Sequence, residues 1–95
     1  MSAGLGTVLA ASVLLPAGPA QATPYSCYDR YTAHSYSVTC VNGTGEYRAK
    51  VKCYKIGGTS YVTRYGKWLQ THIVAWSNAV CTSNEDPTSG TWETR

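Results

Sequence analysis

The chain has 95 residues, with eight Lys and Arg against five Asp and Glu for a net charge of +3. That positive density is far below what a dedicated nucleic-acid binder carries, so nucleic acid is not an expected partner. Nor does any stretch after Ala22 hold enough consecutive apolar residues to cross a bilayer as a helix, so no stable membrane insertion is expected once a leader is removed.

The first 22 residues read as a secretory leader. Leu5 to Leu15 is an apolar run too short for a membrane span, and Ala20-Gln21-Ala22 offers small residues where a signal peptidase cuts. No Lys or Arg precedes the run, which is unusual for a leader. The expected division is therefore a signal peptide over 1–22 and a single small domain over 23–95, released outside the cell. All eight Lys and Arg and all five Asp and Glu fall in that domain, together with eight Tyr, three Trp and no Phe. Its aromatic surface thus brings hydroxyl and indole donors that need partners.

Tyr25 to Tyr31 reads as a first strand, with Tyr25, Cys27 and Tyr31 on one face, and Thr32-Ala33-His34 as a turn. Two alternating runs then flank Asn42-Gly43-Thr44-Gly45, chemistry typical of a tight reversal. The expectation is a central hairpin in which Val41 pairs with Glu46. Cys40 then meets Tyr47, Val38 meets Ala49 and Tyr36 meets Val51 on the buried face, with Cys53 further along. Ser35, Ser37 and Thr39 lie opposite Lys52, Lys50 and Arg48 on the other. A slip of one residue would carry the lysines into the core. Asn42-Gly43-Thr44 also matches a glycosylation acceptor, but the turn already accounts for these residues.

Gly57-Gly58 marks the next reversal, and Thr59 to Tyr65 returns with Val62 opposite Cys53 and Tyr61 opposite Tyr54. Gly66 predicts a bulge or bend before Lys67-Trp68-Leu69. Leu69 to Trp76 is apolar and largely β-branched, which argues against a helix there. Ala79-Val80-Cys81 returns to the core. From Thr82 the composition is turn-like, so the last ten residues are expected to fray unless Trp92 pins them.

Four cysteines, Cys27, Cys40, Cys53 and Cys81, form a disulfide framework rather than a zinc site, since no C-x2-C knuckle is present. In the hairpin, Cys40 sits by the turn and Cys53 about 20 Å away along the strand. A bridge needs Cα atoms within roughly 7 Å, which excludes Cys40–Cys53. Of the two connectivities left, Cys27–Cys40 with Cys53–Cys81 is preferred, because sequential strands tend to be neighbours. The fold class expected is all-β: a small antiparallel β-sandwich or partly closed barrel of five to six short strands with two disulfides.

Catalytic signatures are missing: no G-x-S-x-G, no H-E-x-x-H and no phosphate loop, with His34 and His72 as the only histidines. No enzyme activity, cofactor or metal is expected. Arg48, Lys50 and Lys52 form a one-sided basic row, which an ordinary solvated strand face explains better than a docking face does. Tyr54, Tyr61, Tyr65 and Trp68, with Arg64 nearby, are the kind of residues that anchor interfaces, though cross-strand aromatics also simply stabilise sheets.

The segments Gly45-Glu46-Tyr47-Arg48-Ala49-Lys50-Val51-Lys52-Cys53, Tyr65-Gly66-Lys67-Trp68 and Ser77-Asn78-Ala79-Val80-Cys81 resemble a group of small secreted proteins from mycelial Gram-positive bacteria. That resemblance implies export and a Cys53–Cys81 bridge, and it brings no activity. A second, weaker resemblance is to the tendamistat-like α-amylase inhibitors, secreted β-sandwiches with two bridges between neighbouring cysteines. Their Trp-Arg-Tyr is missing here, and Asp29-Arg30-Tyr31, the nearest substitute, stands at a different distance from its cysteine. The functional expectation is a secreted module that binds an extracellular protein, as inhibitor or adaptor. The alternatives are a toxin-associated or antimicrobial protein holding envelope polymers by its basic face, or a small enzyme.

Overall fold

The computed structural model describes residues 23–95, so the expected leader lies outside the described residues. Seven strands follow in order: β1 (Tyr25–Tyr31), β2 (Ser35–Asn42), β3 (Glu46–Lys55), β4 (Tyr61–Tyr65), β5 (Leu69–Gln70), β6 (Ser77–Val80) and β7 (Glu85–Thr94). They form two antiparallel sheets that do not close into a barrel. One runs β1-β2-β6; in the other, β4 and β5 lie along one edge of β3 and β7 along its other edge. The layers pack as a sandwich, so the all-β expectation holds, with β5 a two-residue continuation of the β4 line.

The central hairpin is not formed. β2 pairs with β1 and β6, β3 pairs with β4, β5 and β7, and the two strands lie in different sheets. Val41–Glu46, Cys40–Tyr47, Val38–Ala49 and Tyr36–Val51 are therefore not ladder pairs, and Ser35, Ser37 and Thr39 do not lie beside the basic row. The reason is that both edges of each strand are already taken. Asn42 to Gly45 serves as a corner, with Gly43 at φ 93° and Gly45 at φ 86°, values that glycine adopts without steric cost. Across the corner the strands face one another instead of lying side by side. That is why the inward set survives: Tyr36, Val38, Cys40, Tyr47, Ala49, Val51 and Cys53 are all buried, joined by Ala79 and Cys81.

Ser37 and Thr39 are buried as well, because β2 is the middle strand of its sheet. The Ser37 hydroxyl donates to the Asn78 side-chain carbonyl on β6. Trp76, just before β6, lies with the Arg30 guanidinium 4.1 Å from its ring centre.

The first strand and its turn occur where expected, with the Thr32 amide donating to the Ser35 carbonyl at 2.9 Å. So does the return past Gly57-Gly58, with Val62 opposite Cys53 and Tyr61 opposite Tyr54. The interruption at Gly66 separates β4 from β5. There the buried Ser77 hydroxyl accepts from the Ala49 amide (2.9 Å) and donates to the Lys67 carbonyl (2.7 Å). Leu69 to Trp76 continues as strand only through Gln70 and then turns outward, leaving Val74 fully exposed.

The C-terminal segment does not fray. β7 pairs with β3 from Tyr47↔Thr94 to Lys55↔Glu85, with a bulge opposite Lys50 to Lys52. Gly90 lies at that bulge against the Tyr36 ring, where a Cβ would overlap ring atoms. Beyond the strand end, Glu46 and Arg95 exchange main-chain hydrogen bonds of 2.8 and 3.0 Å. Turn-favouring residues such as Pro87, Ser89 and Gly90 are tolerated because this is an edge strand, and a bulge absorbs them.

Two disulfides join Cys27 to Cys40 and Cys53 to Cys81. The first links opposed residues of β1 and β2; the second ties β3 to the end of β6, sheet to sheet. Cys40 and Cys53 are kept apart because their strands leave the corner in opposite layers. Two bridges in a small domain fit an extracellular setting, and no helix among the described residues is long and apolar enough to cross a membrane.

Candidate functional site

Alternation along β3 sends Tyr47, Ala49, Val51 and Cys53 inward, so Arg48, Lys50, Lys52 and Tyr54 emerge on the outer face of their sheet. Register then determines what stands beside them. Tyr61 is opposite Tyr54, Thr63 opposite Lys52 and Tyr65 opposite Lys50 on one side; Glu93 is opposite Arg48 on the other. Basic row and aromatic group are therefore one surface, about 20 Å long between Arg48 and Tyr54.

The side chains interleave. The Arg48 guanidinium lies 3.9 Å from the Tyr65 ring centre and 4.6 Å from that of Trp68, and Arg95 lies 4.2 Å from the same Trp68 ring. The Lys52 ammonium stands 5.0 Å from Tyr61, whose ring is in turn 4.9 Å from Tyr54. Each such cation–ring contact is worth about 0.5–1 kcal/mol at an exposed site, enough together to hold the rings in place.

Three of the four cations on this face are held by two carboxylates. Glu93 binds Arg48 at 2.7 Å and reaches Lys50 at 3.7 Å, while Arg95 pairs with Glu46 at 2.7 Å. Glu93 and Arg95, and with them the ion pair of Glu46, were hidden from sequence reasoning because the tail reads as loop. The signal that could have exposed them is the spacing Thr91, Glu93, Arg95, alternating around Trp92 as a strand does.

Arg64 stands apart from the group. It lies opposite Val51, so its side chain leaves on the inner face of β4, where it meets Glu85 at 3.3 Å. Glu85 is held below the usual carboxylate range chiefly by the Thr82 amide, with Arg64 adding to the effect. The two histidines each lean on a main-chain carbonyl. His34 Nδ1 is 3.3 Å from that of Glu85, and His72 Nε2 is 3.0 Å from that of Gly43. Cys53, Cys81 and Glu85 cluster within metal-binding distance, but the two sulfurs are bonded to each other and offer no thiolate.

Tyr61 and Tyr65 remain 47% and 45% exposed, while Tyr54 and Trp68 are half-buried. The face is thus a preorganised strip of rings and guanidinium planes, suited to stacking and to multiple hydrogen bonds. Comparison with known families, curated proteins and solved structures finds no match to this chain.

Proposed function

We propose that the protein is a secreted binding module that docks an extracellular protein, as inhibitor or adaptor, through the outer face of the β4/β5–β3–β7 sheet. The observation that carries this reading is the convergence of Tyr54, Tyr61, Tyr65 and Trp68 with Arg48 and Arg95 on one rigid surface. Aromatic and Arg side chains dominate interface energetics, and here their ordering cost is met before any partner arrives. Binding to an anionic envelope polymer through a basic row is less well supported, since Glu93 and Glu46 already hold three of the cations.

The test is capture from culture supernatant with the oxidised protein, identification of the captured species by mass spectrometry, and measurement of its Kd. Tyr54→Ala and Trp68→Ala should each weaken binding tenfold or more, whereas Tyr28→Ala on the other sheet should not. Retention on cell envelopes that is abolished by salt, and by neutralising Arg48, Lys50 and Lys52 together, would replace this reading with the polymer one.

A further inference from the structure

Among the described residues the sandwich has four lateral edges, formed by β1, β6, β7 and the β4/β5 line, and three are protected against further pairing. β7 carries Pro87 and a bulge in which Ser89 has φ 56°; β1 is interrupted by Ser26 at φ 54°; β6 has only four residues. Prolines, bulges and brevity are the usual means of keeping a sheet edge from acquiring another strand. β4 has no proline and no bulge, and its one inward-pointing charge, Arg64, is neutralised by Glu85. Its sequence, Tyr-Val-Thr-Arg-Tyr, favours extended structure throughout.

The hydrogen-bond phase of β4 is fixed at both ends. The Lys55 amide donates to the Ser60 carbonyl at 3.0 Å, and the Gly66 amide donates to the Ala49 carbonyl at 2.9 Å. Counting inward, Val62 and Arg64 exchange bonds with Cys53 and Val51, so the N–H and C=O groups of Tyr61, Thr63 and Tyr65 point away from β3. Among the described residues no strand pairs with that outer side.

We infer that this edge binds the same edge of a second copy, antiparallel about a two-fold axis through Thr63, so that the two β3-containing sheets become one. The strand is self-complementary about Thr63. Tyr61 falls opposite the second copy's Tyr65, Thr63 opposite its own counterpart, and Arg64 opposite Val62. The outward-pointing groups fall on these three tyrosine and threonine pairs, and each pair exchanges two bonds. No like charges are directly opposed, and each Arg64 keeps Glu85 as its ion-pair partner. Tyrosine and threonine pairs are favourable cross-strand neighbours.

The layer beneath is also completed. Thr63, Arg64 and Tyr65 line a groove of about 490 Å³ with Asn78 and Val80 of β6. Val80, which lines this groove, is 59% exposed, and Val62 on β4 itself is 46% exposed, so apolar surface remains at this edge for a second copy to cover. A five-residue edge with these flanking side chains makes a small interface, in the size class of weak and transient contacts. The dimer is accordingly a weak one, with Kd on the order of micromolar or above. Its outer face places two aromatic strips side by side on one continuous sheet, doubling the surface that a single copy offers.

Sedimentation equilibrium of the oxidised protein, from about 10 µM to about 1 mM, reads the association constant directly. Thr63→Glu leaves the monomer intact, because the introduced carboxylate faces Lys52 across the β3–β4 ladder, but it sets two carboxylates against each other on the axis. It should reduce association at least tenfold, as should Thr63→Lys. An equimolar mixture of the two variants should restore it, since opposite charges then meet at the two-fold. Thr63→Pro, which removes an outward-pointing N–H and no β3–β4 ladder bond, as edge strands tolerate, should likewise give a monomer with unchanged circular dichroism. A wild-type protein that stays monomeric throughout, a dimer indifferent to Thr63→Glu and Thr63→Pro, or a mixture no tighter than either variant would each overturn the inference. None of these outcomes touches the docking reading, which is tested by the Tyr54 and Trp68 variants in a single copy.

Discussion

Ser77 is a single hydroxyl on which both layers depend. The β3 ladder is interrupted where Lys67 and Trp68 leave the sheet, and its Ala49 amide would be orphaned there in a buried site. The Ser77 oxygen takes that amide and passes its own proton to the Lys67 carbonyl, joining β6 of one sheet to the gap in the other. Ser77→Ala removes both partners at once, and unsatisfied buried groups cost about 1–3 kcal/mol each. The expected loss is roughly 2–4 kcal/mol in urea unfolding with an unchanged m-value; a loss well under 1 kcal/mol would show that water replaces the hydroxyl freely.

Tyr36 makes a second residue-scale prediction. Its ring is buried and its hydroxyl donates to the Asp29 carboxylate at 2.9 Å. Burial first, and the neighbouring carboxylate second, push its pKa well above the ordinary tyrosine value. A raised folded-state pKa means the folded form holds its proton after the unfolded chain has lost it. The contribution to stability is therefore complete below about pH 10, the unfolded value, and declines as pH rises beyond it. Urea midpoints measured between about pH 8 and pH 11 should fall more steeply for the wild type than for Tyr36→Phe, which is less stable at pH 8 but lacks this titration. Parallel curves would show that Tyr36 ionises as readily in the folded state as in the unfolded chain.

At the scale of elements, period-two alternation revealed which residues face inward but not which strands share a ladder. Cys40, Val38 and Tyr36 bury the same side chains whether β2 lies beside β3 or opposite it, so the pattern is satisfied by a hairpin and by a corner equally. What decides is the competition for edges, and that competition involves β1, β6 and β7, each far from the corner in sequence. The β3–β4 register was legible because local turn chemistry at Gly57-Gly58 fixes it. β7 was not, because Pro87, Ser89 and Gly90 are turn residues in any local window, and only the waiting edge of β3 makes them strand. The site followed the same division. Tyr54, Tyr61, Tyr65, Trp68 and the basic row were visible from local patterns, whereas Glu93 and Arg95 depend on the tail's docking. Arg64 was legible in principle, since the expected pairing of Val62 with Cys53 already sets it opposite the inward-facing Val51.

For the molecule as a whole, the buried core is too small to hold two sheets together on apolar contact alone, since small domains bury a limited share of their surface. The two disulfides divide the task unequally. Chain-entropy estimates for separations of 13 and 28 residues differ little, about 3 against about 3.6 kcal/mol, so loop length does not distinguish them. Position does. Cys27–Cys40 joins strands that the β1–β2 ladder already holds, and its loss is confined to an edge. Cys53–Cys81 is the covalent tie between the layers, anchored at the middle of one sheet and the margin of the other. Replacing Cys27 and Cys40 with Ala should therefore leave a folded protein in which amide exchange accelerates in β1 alone. Replacing Cys53 and Cys81 should abolish the near-ultraviolet signal of the packed tyrosines and raise exchange in both sheets together. If the two double variants gave the same exchange pattern, the layers would be held by the corner and by Ser77, and the second bridge would be no more than another edge clip.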